Sequence, residues 1–277
     1  MDSTVPFTGT VELRPSFTRR EIGVVVFDFD GTLSWLRHGW PDIMYGLFDE
    51  RLPRRPDDTE DAVRDALLDI VLGLNGNPTI RQMVRFAGLV LERGGTPPDP
   101  DALLSVYLGL LDAEIARRIA RVRAGAARPE EYVVHGAFPL LAKLRDEGIP
   151  CAILSSTPEH RVKEEAEILG LAPYFGPRIH GGTGDPTRFR KMDVFRRILD
   201  GTGIDGSRLL SFGDGPVELS DTKALGGIAI AVCSDETRNG SGVMDAFKHR
   251  QLLQAGADAA IPDFRDAPAL LDHLRHP

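Results

Sequence analysis

The chain has 277 residues, 42% of them hydrophobic and 27% charged, which suffices for one sizeable core and a second, smaller lobe. A net charge of -8 argues against a broad nucleic-acid or anionic-membrane surface, so any phosphorylated ligand must meet a local positive site. No uncharged apolar run approaches the ~18 residues of a membrane span, and the opening MDSTVPFTGTVELRPSF is neither a secretion signal nor an Arg-rich amphipathic leader, which points to a cytoplasmic protein without membrane or nucleic-acid partners.

Residues 1–20 read as an N-terminal extension. The run VVVF at 24–27 predicts a short buried strand that leads into Asp28, Phe29, Asp30, Gly31 and Thr32. Residues 35–131 differ: strand-like runs vanish and apolar residues recur at helical spacing near 41–50, 58–73, 79–92 and 100–123. Proline-rich punctuation (LPRRPDD, GNPT, GGTPPDPD) separates these segments, which together read as a helical insertion. Within it, LNGNP places Asn77 as an N-cap and Pro78 at the first helical position, with Arg81 one turn before Arg85. Asn75, Asn77 and Arg81 are therefore candidate contacts for an anionic or polyol substrate, the alternative being an ordinary solvated helix. Arg117, Arg118, Arg121 and Arg123 read as an exposed helix face.

From residue 132 short apolar runs alternate with amphipathic segments. The runs are CAIL at 151–154, RIHG at 178–181, LLSF at 209–212, IAIAVC at 228–233 and AAI at 259–261. Helical patterns fill the intervals near 136–147, 158–169, 190–200, 216–225, 242–255 and 266–275. This alternation predicts an α/β fold, a mostly parallel sheet covered by helices on both faces, built from 21–34 and 132–277 and interrupted by the all-helical 35–131. Cys151 and Cys233 lie in apolar runs without Cys or His companions at metal-ligand spacing and read as small core residues.

In a strand, residues i and i+2 face the same way, so Asp28 and Asp30 project together at the carboxyl end of a strand, where open parallel sheets bind ligands. Two carboxylates ~5 Å apart repel by ~3 kcal/mol at an effective dielectric near 20, so the pair calls for a cation or a shared proton. A small set of hard oxygen ligands suits Mg²⁺ better than Zn²⁺. A third carboxylate comes from SFGDGPVELSD at 211–221, where Asp214 follows an apolar run; Glu218, one helical turn further on, can support the site from behind the metal ligands, with Asp221 as its rival for that part. Lys191, beside Arg190 and one of only five lysines, opens a helix after the loop GGTGDP and can pair with both a carboxylate and a phosphoryl group. Ser155, at the end of CAILSSTP, supplies a hydroxyl for a phosphoryl oxygen; Ser156 takes its place if the register moves by one, and a helix N-cap is the other use for either.

Taken in order, DFDGT at 28–32, the hydroxyl of Ser155, Lys191 and GDGPVE at 213–218 resemble the haloacid dehalogenase superfamily over about residues 20–277. The resemblance implies a Rossmann-like core with Asp28 as a nucleophile that forms an aspartyl-phosphate. It makes Asp30 a general acid/base, a residue that the dehalogenating branch lacks, which favours phosphate over halide. It implies Mg²⁺ held by the Asp28 and Asp214 carboxylates and the Asp30 backbone carbonyl, with Lys191 and Ser155 on the transferring phosphoryl group. It makes 35–131 a cap domain; that segment contains no lysine, which removes members that cleave carbon-phosphorus bonds through a cap Schiff base. The implied activity is hydrolysis of a small phosphorylated metabolite such as a sugar phosphate. A phosphomutase of the same superfamily and a non-catalytic scaffold are the rival readings.

Overall fold

The computed structural model describes residues 9–14, 18–74, 78–182 and 189–275. The chain divides into two compact units, Met1–Leu36 with Ile119–Pro277, and Arg37–Arg118. In chain order the elements begin with β1 (Glu12–Leu13) and β2 (Val24–Phe27), followed by α1 (Trp40–Asp49), α2 (Glu60–Gly73), α3 (Ile80–Glu92) and α4 (Pro100–Arg123). Next come α5 (Ala137–Asp146), β3 (Cys151–Pro158), α6 (Glu159–Ile168), α7 (Ala172–Phe175), β4 (Ile179–Gly182) and α8 (Lys191–Thr202). The last are β5 (Leu209–Gly213), α9 (Pro216–Ala224), β6 (Ile228–Val232), α10 (Ala246–Gln254), β7 (Ala259–Ile261) and α11 (Ala267–Arg275).

Among the described residues one sheet forms in the order β1-β7-β6-β5-β2-β3-β4, parallel throughout except for the antiparallel edge strand β1. That edge strand was not foreseen, because two residues carry no readable alternation. β2 is the topological centre. From it the chain runs outward through β3 and β4, then crosses to β5 on the other side, so the carboxyl ends of β2, β3 and β5 frame the crevice where such sheets bind ligands. All four residues of β2 are buried, as a β-branched run covered on both faces requires. Val25 and Phe27 join one core with α5, α7 and α11, while Val24 and Val26 join another under α8. Phe27 stacks on Phe212 with centroids 5.2 Å apart, and Phe264 closes on Phe212 at 5.3 Å, so the residues that precede Asp28 and Gly213 form one rigid aromatic platform.

The helical unit has a core of its own, in which Met44, Leu47, Phe48, Leu67, Val71, Met83 and Phe86 are buried and Phe48 stacks on Phe86 at 4.2 Å. Residues 119–131, expected in the insertion, fall in the sheet unit, because Ile119, Val122 and Ala127 pack against its core. Arg118 is not part of an exposed face: it is buried, donating to Glu114 Oε1 at 2.8 Å and to the His38 carbonyl at 2.9 Å. The start of α3 also differs from expectation. The helix begins at Ile80 with Thr79 in the N-cap position, so Pro78 precedes it; Asn75 and Asn77 lie outside the described residues, and Arg81 is exposed on the first turn.

Phe212→Ala should cost about 3–5 kcal/mol in equilibrium urea denaturation, because the ring is 1% exposed and its loss opens a cavity against Phe27 and Phe264.

Candidate active site

Asp28 continues the edge of β2, donating its backbone N–H to the Phe212 carbonyl at 2.9 Å, and Phe29 turns into the core with no exposure. The chain then reverses within a tight turn in which Leu33 and Ser34 both donate to the Phe29 carbonyl, at 2.9 and 2.8 Å. Gly31 sits in that turn at φ 77°, and a Cβ there would lie 2.0 Å from Asp214 Oδ2. Glycine is thus required twice, by the backbone conformation and by the closeness of the Asp214 carboxylate. At the last residue of β5, Gly213 meets the same steric demand, since a Cβ there would lie 2.4 Å from Glu218 Cγ.

The carboxylates gather at these strand ends. One oxygen each of Asp28, Asp214 and Glu218 lie within 4.8 Å of one another. Glu218 is fixed in place by the Gly215 N–H, which donates to Oε1 at 2.5 Å, the returning half of a capping box at the start of α9. Lys191, the first residue of α8, donates to Asp28 Oδ1 at 2.5 Å and to Glu218 Oε2 at 3.0 Å. Of the two acidic candidates on α9, Glu218 is the one that shares Lys191 with Asp28. Asp30 faces elsewhere: its Oδ2 accepts from Thr157 Oγ1 at 2.7 Å and from Ser155 Oγ at 3.3 Å.

β3 extends to Pro158, and its pairing with β4 shifts register between Leu154 and Pro158. Ser155 and Thr157, two residues apart, face the same way and share Asp30, while Ser156 between them is exposed. No side chain caps the start of α6, where Pro158 holds the N-cap position. Ser156 instead lines a cavity of about 380 Å³ with Phe189, Arg190, Lys191, Met192, Val217 and Asp221.

Two participants were not among the sequence candidates. One is Thr157, whose position two residues after Ser155 on a strand is the signal that could have found it. Lys248, on α10, is buried, with Nζ 3.1 Å from Asp214 Oδ2, 2.6 Å from Glu236 Oε1 and 3.1 Å from Ser234 Oγ.

The electrostatics follow from this crowding. Burial raises Asp28 well above the usual carboxylate range, and Glu218 and Asp214 push the same way against the opposing pull of Lys191. Burial likewise lifts Asp214 to about 6, with Glu218 and Glu236 adding to the rise while Lys248 works against it. Burial alone would lower Lys191, but the attraction of Asp28 and Glu218 outweighs it and leaves the ammonium firmly protonated. Asp28, Asp214, Glu218 and Glu236 outnumber the two lysines, and a divalent cation among the oxygens would relieve the excess. An all-oxygen donor set fits a hard cation.

A family model described as haloacid dehalogenase-like hydrolase matches residues 22–226. The phosphoglycolate phosphatase of Rhodospirillum rubrum is 28% identical over 215 residues, spanning 73% of this chain and 76% of that protein. Among solved structures, a conserved haloacid dehalogenase-like protein of Agrobacterium tumefaciens superposes with a TM-score of 0.63 at 20% identity, covering 91% of this chain and 98% of the other. A hydrolase of the same family from Deinococcus radiodurans gives 0.61 at 18% identity over 92% and 98%. These two likenesses are likenesses of fold.

Asp214→Asn should stabilise the metal-free protein at pH 8 by up to about 3 kcal/mol and lose that advantage toward pH 4. A carboxyl whose folded value of about 6 lies above its ordinary 3.8 favours folding only while protonated, so stability is lost as pH rises through that interval. Urea denaturation in chelator at several pH values reads the difference.

Proposed function

Since the chain belongs to the haloacid dehalogenase-like hydrolases, we propose that it is a Mg²⁺-dependent phosphatase that hydrolyses the phosphomonoester of a small metabolite through an aspartyl-phosphate on Asp28. The observation that carries this reading is the contrast between the two aspartates of one strand end. Asp28 lies against Lys191 inside the carboxylate cluster, whereas Asp30 is held by two hydroxyls outside it. Neighbouring carboxyls in different environments can take different roles.

Asp28, Asp214 and Glu218 offer the oxygens that would hold Mg²⁺, together with the Asp30 backbone carbonyl; when bound, the ion supplies positive charge to the phosphoryl oxygens. Lys191 engages Asp28 Oδ1 and leaves the carboxylate its other oxygen for attack on phosphorus. As the phosphorus–oxygen ester bond breaks, Asp30 gives a proton to the leaving oxygen. Water then attacks the phosphorus of the acyl-phosphate, Asp30 takes its proton, and inorganic phosphate leaves with the Asp28 carboxylate restored. The Thr157 and Ser155 hydroxyls keep Asp30 in one orientation through both half-reactions.

The cavity beside Lys191 suits a small molecule, and Arg190 on its wall offers a cation to an acidic substrate. The similarity to the Rhodospirillum rubrum phosphoglycolate phosphatase makes 2-phosphoglycolate the first compound to try, with sugar phosphates next. We assign substrate selection to the helical unit Arg37–Arg118, which enters the chain between Asp30 and Ser155.

Phosphate release from an aryl phosphate should require Mg²⁺ and stop with chelator, and Asp28→Asn should lower kcat by three orders of magnitude or more, on the order of nucleophile removal elsewhere. Activity retained by Asp28→Asn would overturn the reading. Thr157→Val should lower kcat about tenfold while leaving the Mg²⁺ requirement in place, as loss of a support for the acid/base does.

A further inference from the structure

Lys248 is the most deeply buried lysine among the described residues, 3% exposed, and it lies on the helix face that carries Leu252 into an apolar cluster. A Met or Leu would suit that face. Burying an ammonium there costs several kcal/mol, and replacing a buried ion pair by apolar groups is often neutral or stabilising, so packing alone does not account for a charge at this position.

Its contacts do account for it. The three donors of the ammonium have three acceptors: Asp214 Oδ2 at 3.1 Å, Glu236 Oε1 at 2.6 Å and Ser234 Oγ at 3.1 Å. The Ser234 hydroxyl in turn donates to the Gly31 carbonyl at 2.8 Å. A single buried cation therefore ties the turn after β2, the loop after β5 and the loop after β6 to one another, and it grips Asp214 by one oxygen.

We propose that Lys248 is a positioning residue of the cation site: it holds Asp214 by Oδ2 so that the carboxylate meets a divalent cation as a one-oxygen ligand already turned to its place. The proposal rests on the reading that Asp28, Asp214 and Glu218 hold Mg²⁺. Without Lys248, Asp214 loses its orienting partner and repels Glu236, which now lacks the ammonium between them. Ligand orientation by an outer partner is commonly worth ten- to hundredfold in metal affinity.

The test is calorimetric titration of Mg²⁺ into the full chain, with the Mg²⁺-induced rise in melting temperature as a second readout. Lys248→Met should weaken Mg²⁺ binding about tenfold or more, while at saturating Mg²⁺ the KM for an aryl phosphate stays within about twofold of the unaltered protein. Lys223→Met serves as the control, because Lys223 forms an ion pair with Asp258 at 2.6 Å in the same unit, and its removal should leave Mg²⁺ affinity unchanged. If Lys248→Met has no cooperative melting transition, Lys248→Arg decides. Its charge is kept but its donors are displaced, so it too must weaken Mg²⁺ by about threefold or more. Equal Mg²⁺ affinity in the unaltered protein and the deciding variant overturns the proposal alone. No Mg²⁺ uptake by the unaltered protein removes the cation reading and this proposal with it.

Discussion

Negative charge concentrated at the carboxyl ends of two adjacent parallel strands is the constraint around which the sheet unit is organised. Asp28 follows β2 and Asp214 follows β5, and the register that pairs Phe27 with Phe212 brings the two carboxylates alongside each other. Left to themselves in a buried crevice, such groups repel and resist ionisation, which is why both are raised. Two lysines offset part of the charge from opposite sides. Lys191 reaches Asp28 and Glu218 from the start of α8, and Lys248 reaches Asp214 and Glu236 from α10. The remaining excess makes the cluster attractive to a cation while its aromatic platform keeps it from spreading apart.

Steric demands sharpen the arrangement. A side chain at Gly31 would collide with Asp214, and one at Gly213 or Gly215 with Glu218, so the closeness of the carboxylates and the glycines beside them are one feature. β3 plays the complementary part on the other side of β2. Its alternation turns the hydroxyls of Ser155 and Thr157 the same way, and both hold Asp30 apart from the lysine-bound cluster. Two aspartates only one residue apart thereby acquire different partners, which is the physical basis for assigning them different chemical work.

The helical unit is a second, independent solution to burial. Its core is lined by Phe48, Phe86 and the apolar faces of α1 to α4, while the carboxylates Asp28, Asp214 and Glu218 belong to the other unit. A unit with its own core can vary in surface without disturbing the strand ends, so selection of a substrate and the chemistry performed on it can reside in different parts of the chain.

The sequence by itself determined the alternation of strands and helices after residue 132, the four helices of the insertion and the aspartates at 28, 30 and 214, because burial repeats locally at periods of 2 and 3.6 and strand ends are marked by neighbouring glycines. Motif order also singled out Ser155 and Lys191, which the structure brings into contact with Asp30 and Asp28. Tertiary structure alone decided which groups meet. Glu218 and not Asp221 holds Lys191, Thr157 and not only Ser155 holds Asp30, and Lys248 with Glu236 supports Asp214. Arg118 is buried and α3 starts past Pro78 for the same kind of reason, namely partners or turns that a linear pattern does not display. Those outcomes depend on distances between elements far apart in the chain, set by sheet register and side-chain reach, and local periodicity contains no such information.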